Sequence, residues 1–374
     1  MFMDISSEMI HSLLPVFLST ALGASTATIG VIEGVGEATA SISKLFSGWL
    51  SDRLNRRKAL AVVGYGLGAA SKPLFALAPS VGWVLAARFS DRFGKGIRGA
   101  PRDALVGDLT PPALRGAAYG LRQSLDTVGA VAGPMLAIVL MLLLDNDFRC
   151  VFWLALIPGV AAVSTLVFGV EEPAAVHRTS EARPPIRWTE ARQMRGLFWG
   201  VVLVGAVLTL ARFSEAFLIL RVLDAGLATT LVPLALVVMN VVYAASAYPM
   251  GALSDRLDRR VVIAGGFGIL IISDLVLALA PNVWIVLLGV GLWGLHMGMT
   301  QGILAALIAD AVPTELRGTA FGLFHFISGI SLLLASLIAG FLWQSFGPLA
   351  TFLAGALFTA VGLIGGIVIV STSR

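Results

Sequence analysis

GWLSDRLNRRK, from Gly48 to Lys58, returns as GALSDRLDRR at Gly251 to Arg260, 203 positions later in a chain of 374 residues. A second pair keeps the register. PPALRGAAYG from Pro111 answers to PTELRGTAFG, so Leu114-Arg115-Gly116 match Leu316-Arg317-Gly318, 202 positions on, and Asp108 matches Asp310 at the same offset. Two landmarks sharing an offset indicate a duplicated unit of roughly 180–200 residues. The segments between them are apolar enough to sit in lipid.

Composition agrees with that reading. The chain is 57% hydrophobic and 13% charged, with a mean hydropathy of +0.90, whereas an ordinary soluble domain carries about 25% charged residues. This describes an all-α polytopic membrane protein. The net charge of +4 does not indicate a nucleic-acid partner, because the basic residues cluster at the ends of apolar spans and form no basic face with stacking aromatics. A single cysteine, Cys150, excludes an internal disulfide.

About 20 mainly apolar residues cross a bilayer as helix, and the chain divides into twelve such spans. The first is expected over Met1–Gly23, the sixth over Phe148–Val170 and the seventh over Gly196–Leu223. Asp4 and Glu8, with no Lys or Arg before the apolar run, argue against a cleavable leader. The first span is short, as though a turn or two of helix preceded Met1. Residues 171–195 hold Arg178, Arg183, Arg187, Arg192 and Arg195 around Pro184-Pro185. That stretch reads as a cytoplasmic linker between a six-helix unit over 1–170 and a second over 196–374. Arg53, Arg56, Arg57 and Lys58 follow the second span, and Arg256, Arg259 and Arg260 the eighth, while alternate turns such as APSVG and QSFG are bare of basic residues. The positive-inside rule then places both termini in the cytoplasm.

These motifs resemble the major facilitator superfamily, and the likeness covers essentially the whole chain. The loop signature of that family appears as Gly48, Leu50, Asp52, Arg53, Arg56 and Arg57. The fifth-helix signature of its antiporter branch appears as Gly129, Gly133 and Pro134, although Met135-Leu136-Ala137 replace the glycines that normally follow. The fourth-helix signature is altered: Arg88 holds the arginine position, but Asp91 and Arg92 replace the glutamine and first glycine. The run RFSDRFGKGIRGAPRDAL looks like a subgroup of bacterial efflux permeases. The resemblance implies two pseudo-symmetric six-helix bundles and secondary active transport in a bacterial inner membrane, without enzymatic activity or cofactor. It implies proton-coupled export of a small polar or ionic molecule by alternating access, in a protein expected to be monomeric. It also implies that Gly48, Asp52, Arg53 and Arg57, with Asp255 and Arg256 in the second copy, form gating loops. Gly129, Gly133 and Pro134 read first as helix-packing residues, small side chains four apart with a proline bend.

Intramembrane charge is the strongest functional signal. Each such group costs at least about 2.5–3.5 kcal/mol at mid-bilayer, so it faces a cavity or a partner. Asp4, Glu8 and His11 share a face of the first helix by their spacing, Glu33 and Glu37 a face of the second. Arg88, Asp91, Arg92 and Lys95 share a face of the fourth, and Arg122 and Asp126 one of the fifth. The second half is thinner, with Arg212, Glu215, Asp274, His296 and His325. Asp4 and Glu8 have no basic partner on their own helix, and burial favours an uncharged carboxyl, so they are the expected proton-coupling residues. Arg88 and Arg92 suit an anionic substrate group. The remaining charged residues and histidines named here line the expected substrate cavity, apart from Asp274. Two other readings stay open: divalent metal export, from Asp4, Glu8 and His11 on one face, and import of an anionic metabolite, from Arg88, Arg92 and Arg122. A non-transporting membrane sensor or scaffold is a remoter one. No P-loop, zinc-spaced Cys/His cluster or nucleophile elbow is present in the sequence.

Overall fold

The computed structural model describes residues 1–54, 56–111, 114–171, 196–254, 257, 259–310 and 317–372. Every regular element among them is helical. In chain order these are α1 (Phe2–His11), α2 (Thr26–Leu54), α3 (Arg57–Ala76), α4 (Val81–Leu109), α5 (Arg115–Leu143), α6 (Phe148–Leu154) and α7 (Leu156–Gly169). After residues 172–195, which lie outside the description, come α8 (Gly196–Ala211), α9 (Ala216–Asp224), α10 (Leu234–Ser254), α11 (Arg259–Leu279), α12 (Val283–Asp310) and α13 (Arg317–Thr372). The last contains Gly347 at φ 80°, followed by Pro348, which divides it into two helical runs. Only glycine adopts that backbone region without strain.

Among the described residues, eight stretches are long and apolar enough to cross a membrane, including Arg57–Ala76, Val261–Leu279 and the 46-residue Ala320–Gly365 that holds the Gly347 break. Helices in lipid satisfy their backbone groups internally, which is why such a chain is helical throughout. α2 and α4 are 29 residues each, but carry the charged side chains that build the site below.

Two spans expected to be continuous are broken. Expected helix over Met1–Gly23 gives way after His11, with a short turn at Leu14–Val16 and a π-turn over Phe17–Ala21. Pro15 has no N–H to give to the His11 carbonyl and disfavours helical geometry in the residue before it. Expected helix over Gly196–Leu223 stops at Ala211 and restarts at Ala216. There Ser214 caps the second piece, its Oγ accepting from the Ala216 amide at 3.3 Å and its carbonyl from the Phe217 amide at 3.0 Å. Ser12 and Ser214 lie 202 positions apart, so the two breaks respect the repeat. The expected Phe148–Val170 span is met by Phe148–Gly169, with only a local irregularity at Ala155, whose backbone stays in the right-handed helical region.

The chain forms two compact units, Met1–Leu22 with Val35–Pro185, and Gly23–Gly34 with Ile186–Arg374. In the first, close approaches depend on missing side chains. A methyl on Gly64 would stand 2.7 Å from the Gly94 carbonyl, which lets α3 lie directly on α4, and one on Gly96 would stand 2.8 Å from the Ala40 carbonyl of α2. The second unit is held by aromatic packing: Phe213 lies 5.4 Å from Trp293 and 5.5 Å from Phe352 by ring centroid.

Candidate functional site

The site of the first unit is built on α4. Arg88 and Arg92 are one turn apart and buried, 2% and 3% exposed, while Lys95 is exposed. Opposite them on α2, Glu37 Oε1 lies 3.1 Å from an Arg92 guanidinium nitrogen and 3.9 Å from one of Arg88. His11, at the end of α1, closes the group: its Nδ1 is 3.0 Å from Arg92 and 3.4 Å from Arg88. Arginine can only donate, so Nδ1 accepts and the ring proton sits on Nε2. Gly36 matters here, because a methyl at that position would press within 3.3 Å of both arginine side chains. Glu8 lies in the electrostatic reach of Lys95, Arg92 and Arg88. His11, Glu37, Arg88 and Arg92 are thus brought together, with Glu8 and Lys95 in electrostatic reach of them.

Asp91 departs from its expected face. It turns toward α3, where the Lys72 ammonium lies 2.7 Å from its Oδ1 and Ser71 donates to the same oxygen at 3.3 Å. Lys72 also reaches Ser7 of α1 at 3.2 Å and is 1% exposed. Lys72 escaped the sequence reading although it stands alone in an apolar span, and that isolation was the available signal. A cation buried within a bundle requires a counter-ion.

Asp4 and Glu8 sit where α1 crosses α5. A methyl on Gly129 would stand 2.8 Å from Asp4 Cβ, and one on Gly133 only 2.6 Å from Glu8 Cβ and 2.9 Å from the Ile5 carbonyl. The two glycines of the fifth-helix motif are thus the seat of the helix that carries both carboxylates. Asp4 pairs with the Met1 amino group at 2.9 Å. Further along α4 and α5, Arg122 bridges Asp126 at 3.1 Å and Asp103 at 3.2 Å, and Arg102 lies 3.5 Å from Asp126. Arg98 packs over the Tyr65 ring at 4.9 Å. Among the described residues no group of three His, Cys, Asp or Glu side chains gathers as a metal site, so the shared face of Asp4, Glu8 and His11 does not become a metal-binding cluster.

Glu33 and Glu37 share a helix face but part company. Glu33, fully buried, belongs to the stretch of α2 grouped with the second unit, where the Ser214 hydroxyl donates to its Oε2 at 3.0 Å. Elsewhere in that unit the expected cavity residues are scattered. Arg212 and Glu215 lie at the break between α8 and α9, with Tyr243 of α10 in electrostatic reach of Arg212. His296 is buried against the Gly266 carbonyl at 2.9 Å, and His325 lies among Phe321 and Phe324. His296 thus occupies a helix contact, while the rings beside His325 belong to its own helix.

Of the gating residues, Arg57 forms an ion pair with Asp108 and donates to the Ala104 carbonyl at 3.1 Å, tying the start of α3 to the end of α4. Arg53 lies over the Trp49 ring at 5.4 Å. A methyl on Gly48 would meet Ala100 Cβ at 3.4 Å, an ordinary contact. Asp52 is in the last turn of α2, with its side chain outside the description; Asp255 and Arg256 lie outside it altogether.

Long apolar helices, buried charge gathered around broken segments, and a repeat of about 200 residues define a multi-pass membrane transporter. The chain belongs to the major facilitator superfamily, whose family model matches residues 1–239 and 216–373. It is 33% identical over 367 residues to an MFS-type transporter of Methanocaldococcus jannaschii, covering 96% of this chain and 89% of that one. It is 25% identical over 341 residues to the cis,cis-muconate transport protein of Acinetobacter baylyi, covering 85% and 79%. The crystal structure of the nucleoside transporter NupG superposes with a TM-score of 0.76 at 13% identity, over 100% of this chain and 96% of that one. As a member of this family the chain carries a small-molecule substrate and works in a membrane.

Proposed function

We propose that this protein is a proton-coupled secondary transporter that exports a small polar or ionic molecule by alternating access. In this reading twelve transmembrane helices form two six-helix bundles over 1–170 and 196–374, joined by a cytoplasmic linker. The protein works as a monomer in a bacterial inner membrane with both termini in the cytoplasm. The observation that carries the reading is the grouping of the buried His11, Arg88 and Arg92 with Glu37, and of Glu8 and the exposed Lys95 beside them. A carboxylate held by cations it shares with a ligand changes its proton affinity when the ligand arrives. Glu8 and Asp4 are the proton-coupling residues. Arg88, Arg92 and Lys95 hold the substrate's polar end, and the Arg57–Asp108 pair is broken and remade as the cytoplasmic side opens.

Survival of an efflux-deficient bacterium tests this, with a panel of lipophilic cations, organic acids and divalent metals. Expression of the chain is expected to protect against one class, and the Asp4→Asn, Glu8→Gln variant at equal expression is expected to lose that protection. Protection that persists in the variant removes the coupling assignment.

A second reading, uptake of an anionic metabolite with a proton, is favoured by the exposed Lys95 next to two arginines. The relative named as a cis,cis-muconate transport protein is consistent with an anionic substrate. Energy-dependent accumulation of a labelled organic acid by cells, with no protection on the panel, selects this reading.

A further inference from the structure

Asp274 is a carboxylate of the second unit that the proposed mechanism leaves unused, and its setting is unusual. It lies in the C-terminal third of α11, is 0% exposed, and neither carboxyl oxygen has a hydrogen-bond partner among the described residues. Its neighbours are apolar. A methyl placed on Gly355 of α13 would stand 2.7 Å from Asp274 Oδ2 and 3.1 Å from Phe213 Cε1, so the carboxyl and the Phe213 ring edge both border the notch left by a glycine. Leu270 and Leu277 flank it on its own helix, both fully buried.

The repeat makes the arrangement informative. Lys72 and Asp274 are 202 positions apart, as are their neighbours Ser71 and Ser273, and Asp91 and Trp293. In the first unit the buried ion at this position has its counter-ion on the next helix, 2.7 Å away. In the second unit the sign is reversed and the counter-ion's position holds Trp293, 2% exposed. An ionised carboxylate without partner or water is among the costliest groups a protein can bury, and it takes up a proton instead. Charged and titratable groups on the packed elements do not offset this. Arg212 and Glu215 stand at the α8–α9 break, where Arg212 has Glu215 and Tyr243 in reach; His296 of α12 is bonded to Gly266; the facing part of α13 offers Gly355 with Thr351 and Thr359, whose hydroxyls donate to the Ala339 and Gly355 carbonyls.

We propose that Asp274 is a proton-binding site of the second unit, loaded in the conformation described and emptied when the break at Arg212–Glu215 rearranges. The break supplies the means. Phe213, which borders the same glycine notch as the carboxyl, belongs to four residues outside regular helix, and interrupted helices at membrane depth are where transporters place ion sites. The chemistry is reversible transfer of one proton between a carboxyl oxygen and water, with no other bond made. This site is separate from Asp4 and Glu8 and goes beyond the function proposed above; only its consequence for transport rests on that reading.

Infrared spectroscopy of the purified full chain in lipid at neutral pH tests it. The wild type minus Asp274→Asn difference spectrum is expected to contain the C=O band of a protonated carboxylic acid, shifted in D2O. The band is expected to survive in the Asp4→Asn, Glu8→Gln variant. Superimposable spectra in the acid region overturn the proposal. Should Asp274→Asn fail to fold, Gly355→Ala crowds the same carboxyl and is expected to displace the band; an undisplaced band overturns the assignment equally. In proteoliposomes Asp274→Asn is expected to keep substrate exchange and lose accumulation driven by a proton gradient. Retained accumulation beside a lost infrared band shows a proton that never leaves, which overturns the emptying step. Accumulation indifferent to the gradient in wild type is a failure of the proton-coupled reading and leaves the infrared result to decide on Asp274.

Discussion

The two units spend buried charge differently on the same framework. In the first, α3 and α4 are joined by Lys72 and Asp91, and α4 presents Arg88, Arg92 and Lys95 to Glu37 and His11. In the second, the same repeat positions of α11 and α12 hold Asp274 and Trp293, and packing is carried by Phe213, Trp293 and Phe352. Duplication fixed where helices start, break and touch, and then the inner positions diverged. A satisfied ion pair and a lone carboxyl at matching positions mean that charge here is not a requirement of the fold. It marks what each half does.

Separate substitutions in the two units sharpen the contrast. Lys72→Met leaves Asp91 buried beside two arginines and without its ammonium, and is expected to destabilise by about 3–5 kcal/mol. The double variant Lys72→Met, Asp91→Leu is expected to recover most of that loss. Thermal unfolding of the purified protein reads both. Asp274→Leu, the matching change in the second unit, is expected to be neutral or stabilising, since it removes an unpartnered polar group. Equal losses in the two units would break the comparison.

The glycine seat under α1 comes next. Gly133→Ala places a methyl 2.6 Å from Glu8 Cβ and 2.9 Å from a backbone carbonyl, and overpacking of this kind costs about 1–3 kcal/mol. The loss of transport is expected to exceed the loss of folded protein, because the helix that shifts carries Glu8. Ser331→Ala in the matching stretch of α13, where no glycine pair exists, is expected to cost about 0.5–1.5 kcal/mol at most, the net worth of a hydroxyl's hydrogen bond, and to lower transport only in step with folded protein. Transport that tracks folded protein alone in Gly133→Ala assigns that glycine to packing only.

Smaller effects are expected at the ends. Asp147 caps α6, accepting from the Arg149 and Cys150 amides at 2.9 and 3.1 Å, and Asp147→Ala is expected to cost about 1 kcal/mol. Hydrogen bonding from Cys150 holds the Asp147 carboxyl below its ordinary range. The cap therefore stabilises above the unfolded value and weakens as pH falls through the folded one, so the wild-type advantage over Asp147→Ala shrinks in acid. Breaking the partly exposed Arg57–Asp108 pair with Arg57→Gln is expected to change stability by no more than about 1 kcal/mol. Slower transport at unchanged stability supports its gating role.

Much of this was legible in the sequence because it is written in spacing. The 202-residue offset, the apolar spans and the clustering of basic residues at span ends all follow from one-dimensional pattern. The grouping of Arg88 and Arg92 was legible too, because one turn of helix separates them. Asp91 misled, since a helix face is broad and three residues of offset suffice to turn a side chain toward a different neighbour. Its partner Lys72 lies on another helix, and nothing local announces a contact across helices. Glu33 and Glu37 show the same limit: they share a face and end in different units. The breaks at Ser12 and Ser214 lie within spans long enough to cross a membrane as one helix, although Pro15 was a sign at the first and the polar residues Arg212, Ser214 and Glu215 at the second.

The measurement that tests the central claim most directly is gradient-driven transport by Glu8→Gln in proteoliposomes, using the compound the survival panel identifies. With coupling at the first unit's ionic cluster, the variant keeps substrate exchange across a membrane without a gradient and loses accumulation when a proton gradient is imposed. Accumulation by Glu8→Gln at the wild-type level would contradict the account, because the proton would then enter the cycle somewhere other than the face of α1.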